Sequence, residues 1–286
     1  MPKLVFSTTS CWDCTQEFGC ASLGLAGLCD NGTPMFATFP HELEGVVLTG
    51  TYDHVLMQAQ KLKKTIHAAI VLFGNAGAEN TFIRTMLNIF DCPFVGGGAA
   101  IDGATGRCAL ITGNGQVAVF LITDDRYTYS VATKCIHDHV LEQCVLTLKD
   151  ARTIREINGE DAAKYLIRHK NRLDLAASDF EHLTLSDLNN VNAHLSEVNG
   201  EIKSGRDLST NMLLRYVEHK DVYNAMHEFY DDPDAVVFGC AGLSGLLDQP
   251  LDTPSLGLFL FGEVCTVNGT AEFGNLMLSK LVIEQK

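Results

Sequence analysis

Apolar residues along the chain follow two spacings that alternate from the N-terminus to the C-terminus. Continuous apolar runs that end at glycine or a polar turn, such as 69–73 and 235–238, predict buried strands. Apolar positions three or four residues apart, as in 54–64 and 82–90, predict helices. Further strands are predicted at 46–49, 108–112, 117–123, 127–136, 145–156, 256–261 and 275–284, and further helices at 160–168 and 221–230. This alternation predicts an α/β fold of mixed sheets with helices, and α+β is the alternative.

Turn residues divide these elements. The Gly-Asn-Gly at 113–115 lies between two predicted strands and is a strong hairpin signal. The Asn-Gly at 158–159 predicts a turn before the helix at 160–168. The segment 174–207 is polar and rich in Asn and Ser, and its pattern predicts neither helix nor strand.

A short sequence occurs twice at a constant separation of 165 residues. Val-Leu-Phe-Gly-Asn-Ala-Gly at 71–77 corresponds to Val-Val-Phe-Gly-Cys-Ala-Gly at 236–242, and the glycine-containing run at 94–97 corresponds to that at 259–262. Two unrelated strand-to-glycine turns are the simpler alternative. One offset shared by both motifs favours an internal duplication into two similar halves, between which a ligand site is expected. The predicted halves are residues 1–150 and 151–286.

Composition and charge narrow the classes of partner. Hydrophobic residues make up 46% of the 286, which is typical of a globular chain with a sizeable core. Lys and Arg number 21 against 35 Asp and Glu, and a net charge of −14 makes nucleic acid and anionic membrane surfaces poor partners. No apolar stretch approaches the 18 residues of a membrane span, and the N-terminus lacks a signal-peptide pattern. We therefore expect a cytoplasmic protein without membrane insertion.

Ten cysteines are present, and four of them lie close together near the N-terminus. Cys11, Cys14, Cys20 and Cys29 could supply four thiolates to zinc or to an iron–sulfur cluster. Only the first spacing, Cys-x-x-Cys, matches a common metal-site signature. A redox dithiol and simple reduced thiols are the alternatives, because disulfides are rare in a reducing compartment. The sequence does not indicate which cofactor the protein would bind, so the cofactor is unknown at this point.

Five motifs, in order, resemble the FIST family of sensory domains. They are the glycine-rich stretch at 93–103, Glu-Ile-Asn-Gly-Glu-Asp-Ala-Ala-Lys-Tyr at 156–165, Val-Phe-Gly-Cys-Ala-Gly at 237–242, Phe-Gly-Glu-Val at 261–264 and Phe-Gly-Asn at 273–275. The resemblance runs from about residue 68 to the C-terminus. A chain of this length has no room for an output domain, so the resemblance implies a compact, stand-alone member.

The resemblance implies a sensory module rather than an enzyme. Such a module would bind a small molecule, for example an amino acid, and pass the signal to a separate partner such as a histidine kinase or a chemotaxis-type receptor. The residues that would surround the ligand are Gly96, Gly97, Gly98, Asp102, Cys240, Gly262, Glu263 and Asn275. Consecutive glycines let backbone N–H groups approach a ligand closely, although a tight turn between strands would need them as well.

Two other functions are alternatives. An enzyme could use Cys240 as a nucleophile or Asp102 and Glu263 as a carboxylate pair, but no basic partner for Cys240 is recognisable in the sequence. A haem- or metal-dependent redox or nitric-oxide sensor would need a His ligand. His137 and His139 would lie on one face of a strand, yet exposed polar alternation explains them equally well.

Overall fold

Two β-sheets pack face to face at the centre of the fold, and helices cover their outer faces. The computed structural model describes residues 3–8, 18–28, 34–74, 79–98, 117–176, 180–244, 246–247, 255–260 and 262–286. The strands in chain order are β1 (Lys3–Thr8), β2 (Phe18–Leu28), β3 (Pro34–Gly50), β4 (Ala68–Phe73), β5 (Phe94–Gly98), β6 (Val117–Ile122), β7 (Tyr127–Cys135), β8 (His139–Asp150), β9 (Thr153–Ile157), β10 (Glu160–Asp161), β11 (Leu183–Ser186), β12 (Asn192–Ala193), β13 (Leu195–Val198), β14 (Glu201–Ser204), β15 (Asn211–Tyr216), β16 (Ala235–Cys240), β17 (Leu256–Leu260), β18 (Glu263–Val267), β19 (Thr270–Gly274) and β20 (Met277–Gln285). The helices are α1 (Tyr52–Ala59), α2 (Glu79–Ile89), α3 (Ala162–Arg172), α4 (His219–Tyr230) and the single turn α5 (Ala241–Ser244).

The first sheet has the strand order β1-β2-β3-β6-β4-β5-β18-β19. β4 and β5 run parallel, because α2 carries the chain back between them, whereas the other pairs in this sheet are antiparallel. β4 and β6 are buried at every position, as their continuous apolar sequences predict. The last two strands come from the C-terminal part of the chain, so this sheet joins both halves of the sequence.

The second central sheet has the strand order β17-β16-β20-β7. Its connections match those of β5-β4-β6-β3 in the first sheet: one parallel pair, then two antiparallel pairs. The two glycines that share the sequence offset do not occupy equivalent places in the structure, since Gly97 lies inside β5 while Gly262 lies between β17 and β18. The shared strand order is what a duplication would produce, and the common origin of the halves stays a prediction.

Three hydrophobic cores hold these layers together. Side chains such as Phe120 and Phe238 fill the core between the two sheets. α1 and α2 cover the outer face of the first sheet with Val55 and Phe82 among the contacts. α4 and α5 cover the outer face of the second, where Met226 is fully buried. The result is a helix–sheet–sheet–helix sandwich.

A third sheet is formed by residues 139–216. We call these residues the inserted module, because they lie between β7 of the second central sheet and α4, the helix that covers that sheet. Its strand order is β12-β11-β15-β8-β9-β14-β13, and β10 pairs with β9. α3 packs on this sheet through Tyr165 and Leu166. Asp161 caps α3 by accepting a hydrogen bond from the Lys164 N–H at 3.1 Å.

The mixed α/β class predicted from the sequence is confirmed. The helix predicted at 54–64 ends earlier in the structure, where α1 stops at Ala59. After that residue the N–H groups of Lys61 and Leu62 bond to carbonyls only three residues back, those of Gln58 and Ala59, so the α-helical pattern does not continue. The strand at 117–123 forms β6, but its predicted hairpin partner at 108–112 lies outside the described residues. Among the helices of the described ranges, none is long and apolar enough to cross a membrane.

Candidate functional site

Strands from the two predicted halves pair at several places, and one of them is where β5 lies beside β18. Glu263 is the register partner of Gly97 in this antiparallel pair. The Gly98 N–H donates a hydrogen bond to Gly262 O at 2.9 Å. We call this place the β5–β18 junction. It lies in the interior of the protein, since Gly97, Gly98, Gly262 and Glu263 are all buried.

Glycine is required at the β5–β18 junction because the two backbones touch. A Cβ atom on Gly97 would lie 2.0 Å from Gly262 O. Gly96 has a φ of +124°, and a Cβ there would lie 1.9 Å from Val71 O. These glycines therefore permit a close approach of strands. The Gly98 N–H already bonds to a protein carbonyl.

Glu263 brings an ionisable group into this apolar setting. Its side chain is 0% exposed. Glu263 Oε2 accepts a hydrogen bond from the Met277 N–H at 3.3 Å, and the Cys240 thiol lies against the carboxyl group. Oε1 has no hydrogen-bond partner of normal geometry among the described residues. Burial raises the pKa of Glu263 well above its ordinary value, so the carboxyl group is protonated at acidic pH and retains its proton further towards neutrality.

Cys240 ends β16 and is followed directly by the single turn α5. Backbone groups of Gly242, Gly262 and Leu276 act on its sulfur and favour the thiolate. Burial and the nearby Glu263 outweigh them and raise the pKa of the Cys240 thiol. The side chain is 5% exposed, so in this state Cys240 is a protonated thiol and not the thiolate that nucleophilic chemistry requires.

Two further ionisable side chains lie close enough to interact with Glu263. Tyr230 is the last residue of α4 and is buried, and desolvation followed by the charge of Glu263 raises its pKa. Cys265 lies two residues along β18, and the same two effects raise the pKa of its thiol. Both groups are therefore neutral near pH 7, and neither supplies a positive charge to the carboxyl group.

The turn between β19 and β20 connects this site to the inserted module. The Asn275 N–H donates to Asn192 O at 2.9 Å, and Asn275 Oδ1 accepts from the His194 N–H at 3.4 Å. Leu276 has a φ of +52°, a left-handed conformation that a branched side chain seldom adopts. Its carbonyl accepts from Asn192 Nδ2 at 3.1 Å. The next N–H, of Met277, bonds to Glu263.

The inserted module is also tied to the first sheet by a buried cation. Arg206 is 6% exposed, and its guanidinium donates to Asp187 Oδ2 at 3.1 Å and to Glu272 Oε2 of β19 at 3.4 Å. The same side chain donates to Val191 O at 3.0 Å. Arg206 therefore has negative partners on both sides of the contact between the module and the sheet.

Most of the site residues predicted from sequence lie together. The β5–β18 junction and its immediate neighbours contain Gly96, Gly97, Gly98, Cys240, Gly262, Glu263 and Asn275. Asp102, Cys11, Cys14 and Cys29 lie outside the described residues, and Cys20 lies in β2, where the backbone alone is described. Within the described ranges, no group of three or more His, Cys, Asp or Glu side chains could hold a metal ion.

The two histidines considered as ligands do not share a strand face. His137 lies between β7 and β8 and is fully buried, with Nε2 2.8 Å from Glu181 O. His139 begins β8 and is exposed. Burial lowers the pKa of His137 to about 4, so its imidazole is neutral at pH 7. The prediction of one shared strand face is wrong because His137 is not part of a strand, whereas His139 is the first residue of β8.

Sequence reasoning missed three contributors to the site: Tyr230, Cys265 and the Met277 N–H. Cys265 could have been found, because it lies two residues beyond Glu263 in a strand and side chains at that spacing share a face. Tyr230 could not, since its place at the end of a helix says nothing about which strand it approaches. The Met277 N–H depends on the positive φ of Leu276, and although Gly274-Asn275 signals a turn, nothing in the sequence places a left-handed residue at 276 itself.

Comparison with known proteins gives no assignment: no protein-family model matches the chain, and no curated protein matches it.

Proposed function

We propose that the chain is a cytoplasmic sensory module of FIST type that binds a small molecule beside Glu263 and passes the signal to a separate protein. The partner would be a histidine kinase or a chemotaxis-type receptor. One observation carries the proposal: the fully buried carboxyl group of Glu263, at the β5–β18 junction, has no charged partner and has one oxygen atom without a hydrogen bond of normal geometry among the described residues. A buried polar atom of this kind costs stability and is retained where it has a use.

The connections of the site support a sensory use. Glu263 bonds to the Met277 N–H, and the preceding residues Asn275 and Leu276 bond to the inserted module. A ligand that altered the Glu263 carboxyl group would act on one end of this turn, while the module is held at the other end. Binding energy would then shift a conformational equilibrium and not a reaction barrier.

Thermal unfolding tests the proposal, because a ligand that binds only the folded chain raises the melting temperature. The purified chain would be screened against amino acids, organic acids, amines and haem, with an absorption spectrum recorded for the haem sample. Glu263→Gln is the site variant, and Glu284→Gln, at an exposed position of β20, is its matched control. A compound that stabilises the wild type and the control but not Glu263→Gln supports the proposal. If no compound raises the melting temperature, the proposal fails.

A second candidate function is an enzyme that uses Cys240 with Glu263. The contact between the thiol and the carboxyl group favours it, since a carboxylate next to a thiol can accept its proton. The raised pKa of both groups opposes it in this state. A Cys240→Ser variant that binds a compound as tightly as the wild type, yet no longer converts it, would establish the enzyme and overturn the purely sensory role.

A further inference from the structure

We propose that two copies of this chain associate through the outer edge of β7, so that the second central sheet continues from one copy into the other. The proposal concerns self-association and does not depend on the ligand proposed above. β7 is an edge strand of that sheet, and β20 is its only strand partner among the described residues. A strand edge of this kind presents unpaired N–H and C=O groups, to which another extended strand can bond.

One hydrogen bond shows which backbone groups of β7 point away from β20. The Lys286 N–H donates to Arg126 O at 3.1 Å and continues the register of the β7–β20 pair. Because hydrogen-bonded positions alternate in an antiparallel pair, the even-numbered residues of β7 bond to β20. Tyr129, Val131 and Thr133 therefore direct their N–H and C=O groups outward, and these backbone groups bond to no described residue.

The first sheet has an occupied edge at the matching place. β3 corresponds to β7 in the shared strand order, and its outer edge pairs with β2 in antiparallel direction. In the second sheet, the described part of the chain puts no strand at that position. A two-fold axis perpendicular to the sheet makes an edge strand antiparallel to its own copy. A second β7 would thus take the place that β2 takes beside β3.

The sequence of β7 suits pairing with itself. Edge strands are usually protected by charges, proline or bulges, yet the nine residues of β7, Tyr-Thr-Tyr-Ser-Val-Ala-Thr-Lys-Cys, include one charge and no proline. That charge, Lys134, already bonds to Glu228 of α4 at 2.8 Å. An antiparallel pairing centred on Val131 overlaps the whole strand, with Val131 opposite its copy and Tyr129 opposite Thr133. Pairs of aromatic and β-branched residues stabilise sheets, and no two charges of β7 face each other.

Two further features bear on where and when the copies would associate. β19, at one edge of the first sheet, is partly closed, because the Phe273 N–H donates to Asn80 Oδ1 of α2 at 2.7 Å. The net charge of −14 on each copy opposes association through any surface. At physiological salt, charges farther apart than about 8 Å are largely screened, so the dimer should form there and weaken in dilute buffer.

Sedimentation velocity of the purified full chain, over a wide range of protein concentrations at physiological salt, tests the proposal. We expect a monomer–dimer equilibrium for the wild type. Val131→Lys and Val131→Glu each place like charges opposite each other at the two-fold axis and should weaken the dimer by about tenfold. An equal mixture of these two variants should dimerise again, because opposite charges then face each other. Val145→Lys, at an exposed valine of β8, is the matched control and should dimerise as the wild type does.

Several outcomes would overturn the proposal. They are a wild type that stays monomeric at every concentration, variants at position 131 that dimerise as readily as the wild type, and a mixture of the two that stays monomeric. Val131→Lys also lowers the net negative charge, so a contact governed by overall charge would become stronger in this variant, and that result would contradict the pairing as well.

If the variants at position 131 do not fold, hydrogen exchange of the wild type decides. The N–H groups of Tyr129, Val131 and Thr133 should exchange more slowly at high protein concentration, because each would then donate to the other copy. Exchange of these three groups that does not depend on concentration would overturn the pairing.

Discussion

Two buried ionisable side chains, Arg206 and Glu263, show opposite ways of placing a polar group inside this fold. Arg206 is 6% exposed and has Asp187, Glu272 and the Val191 carbonyl as partners. Glu263 is 0% exposed and has one backbone N–H, a thiol contact and a carboxyl oxygen without a partner of normal geometry among the described residues.

The difference separates a structural charge from a candidate functional one. The partners of Arg206 come from the inserted module and from β19, so the ion pairs hold two parts of the chain in register. Such a charge is retained because removing it would leave its partners buried and unpaired. No charged group among the described residues pairs with Glu263, which lies where β18 pairs with β5. Arg206 Nε also lacks a hydrogen bond, so what distinguishes the β5–β18 junction from the module contact is that Glu263 has no charged partner among the described residues.

The largest expected loss of stability comes from removing Arg206, the buried side chain that has charged partners. Arg206→Met leaves Asp187 and Glu272 without their buried cation, and we expect a loss of about 3–5 kcal/mol in the free energy of unfolding. Urea denaturation measures it. Arg155→Met removes an exposed cation from the same module and should change stability by less than about 0.5 kcal/mol. Equal losses in the two variants would contradict a special role for Arg206.

The next largest effect comes from adding a methyl group at the β5–β18 junction, where Glu263 lies opposite Gly97. Gly97→Ala places a Cβ about where Gly262 O now lies, at 2.0 Å, and must push β5 and β18 apart. Overpacking of this kind costs about 1–3 kcal/mol, again by urea denaturation. Gly200→Asn is the comparison: it has open space around it, and its φ of +79° is one that Asn adopts at a modest cost, so we expect a smaller loss of about 1 kcal/mol or less. A neutral Gly97→Ala would show that the strands are not in close contact.

A pH series sharpens the description of Glu263. Its pKa is higher in the folded chain than the value of about 4.3 in an unfolded one, so the folded state binds the proton more tightly. The stability from this proton is complete below about pH 4 and is lost as the pH rises towards the folded pKa, by at most about 1.4 kcal/mol per pH unit. Glu263→Gln should therefore gain stability relative to wild type from pH 5 to pH 8.

The measurement is urea denaturation at each pH, with Glu284→Gln as the control that should track the wild type. A constant difference between Glu263→Gln and wild type across this range would mean that the carboxyl group of Glu263 is already ionised in the folded chain at pH 5.

The smallest effect compares a buried ion pair with an exposed one. Arg168 lies 2.7 Å from Glu160 on the surface of the inserted module, and both side chains are largely exposed. A double-mutant cycle with Arg168→Ala and Glu160→Ala should give a coupling of about 0.2–1 kcal/mol, because solvent screens the pair. A coupling as large as the loss in Arg206→Met would remove the distinction between buried and exposed charges on which the comparison depends.

The sequence predicted the elements of the central sandwich better than those of the inserted module. The continuous apolar runs of β4 and β16 predict buried strands, and both strands are buried at every position. Two hairpins were missed, although an Asn-Gly pair at 199–200 and another at 268–269 join their strands. All four of these residues have positive φ, which Asn and Gly adopt easily and which suits a two-residue hairpin. The polar segment 174–207 therefore contained a readable signal that its composition obscured.

The sequence by itself determined that β4 and β16 are buried strands and that Glu263 follows an apolar run. Local rules suffice for these features, since side-chain spacing and allowed φ and ψ act over a few residues. Only the tertiary structure decided that Glu263 lies opposite Gly97, that Arg206 pairs with two carboxylates, and that Glu263 has no charged partner among the described residues. Pairing and desolvation depend on strands and loops that are distant in the chain, so no local pattern contains them.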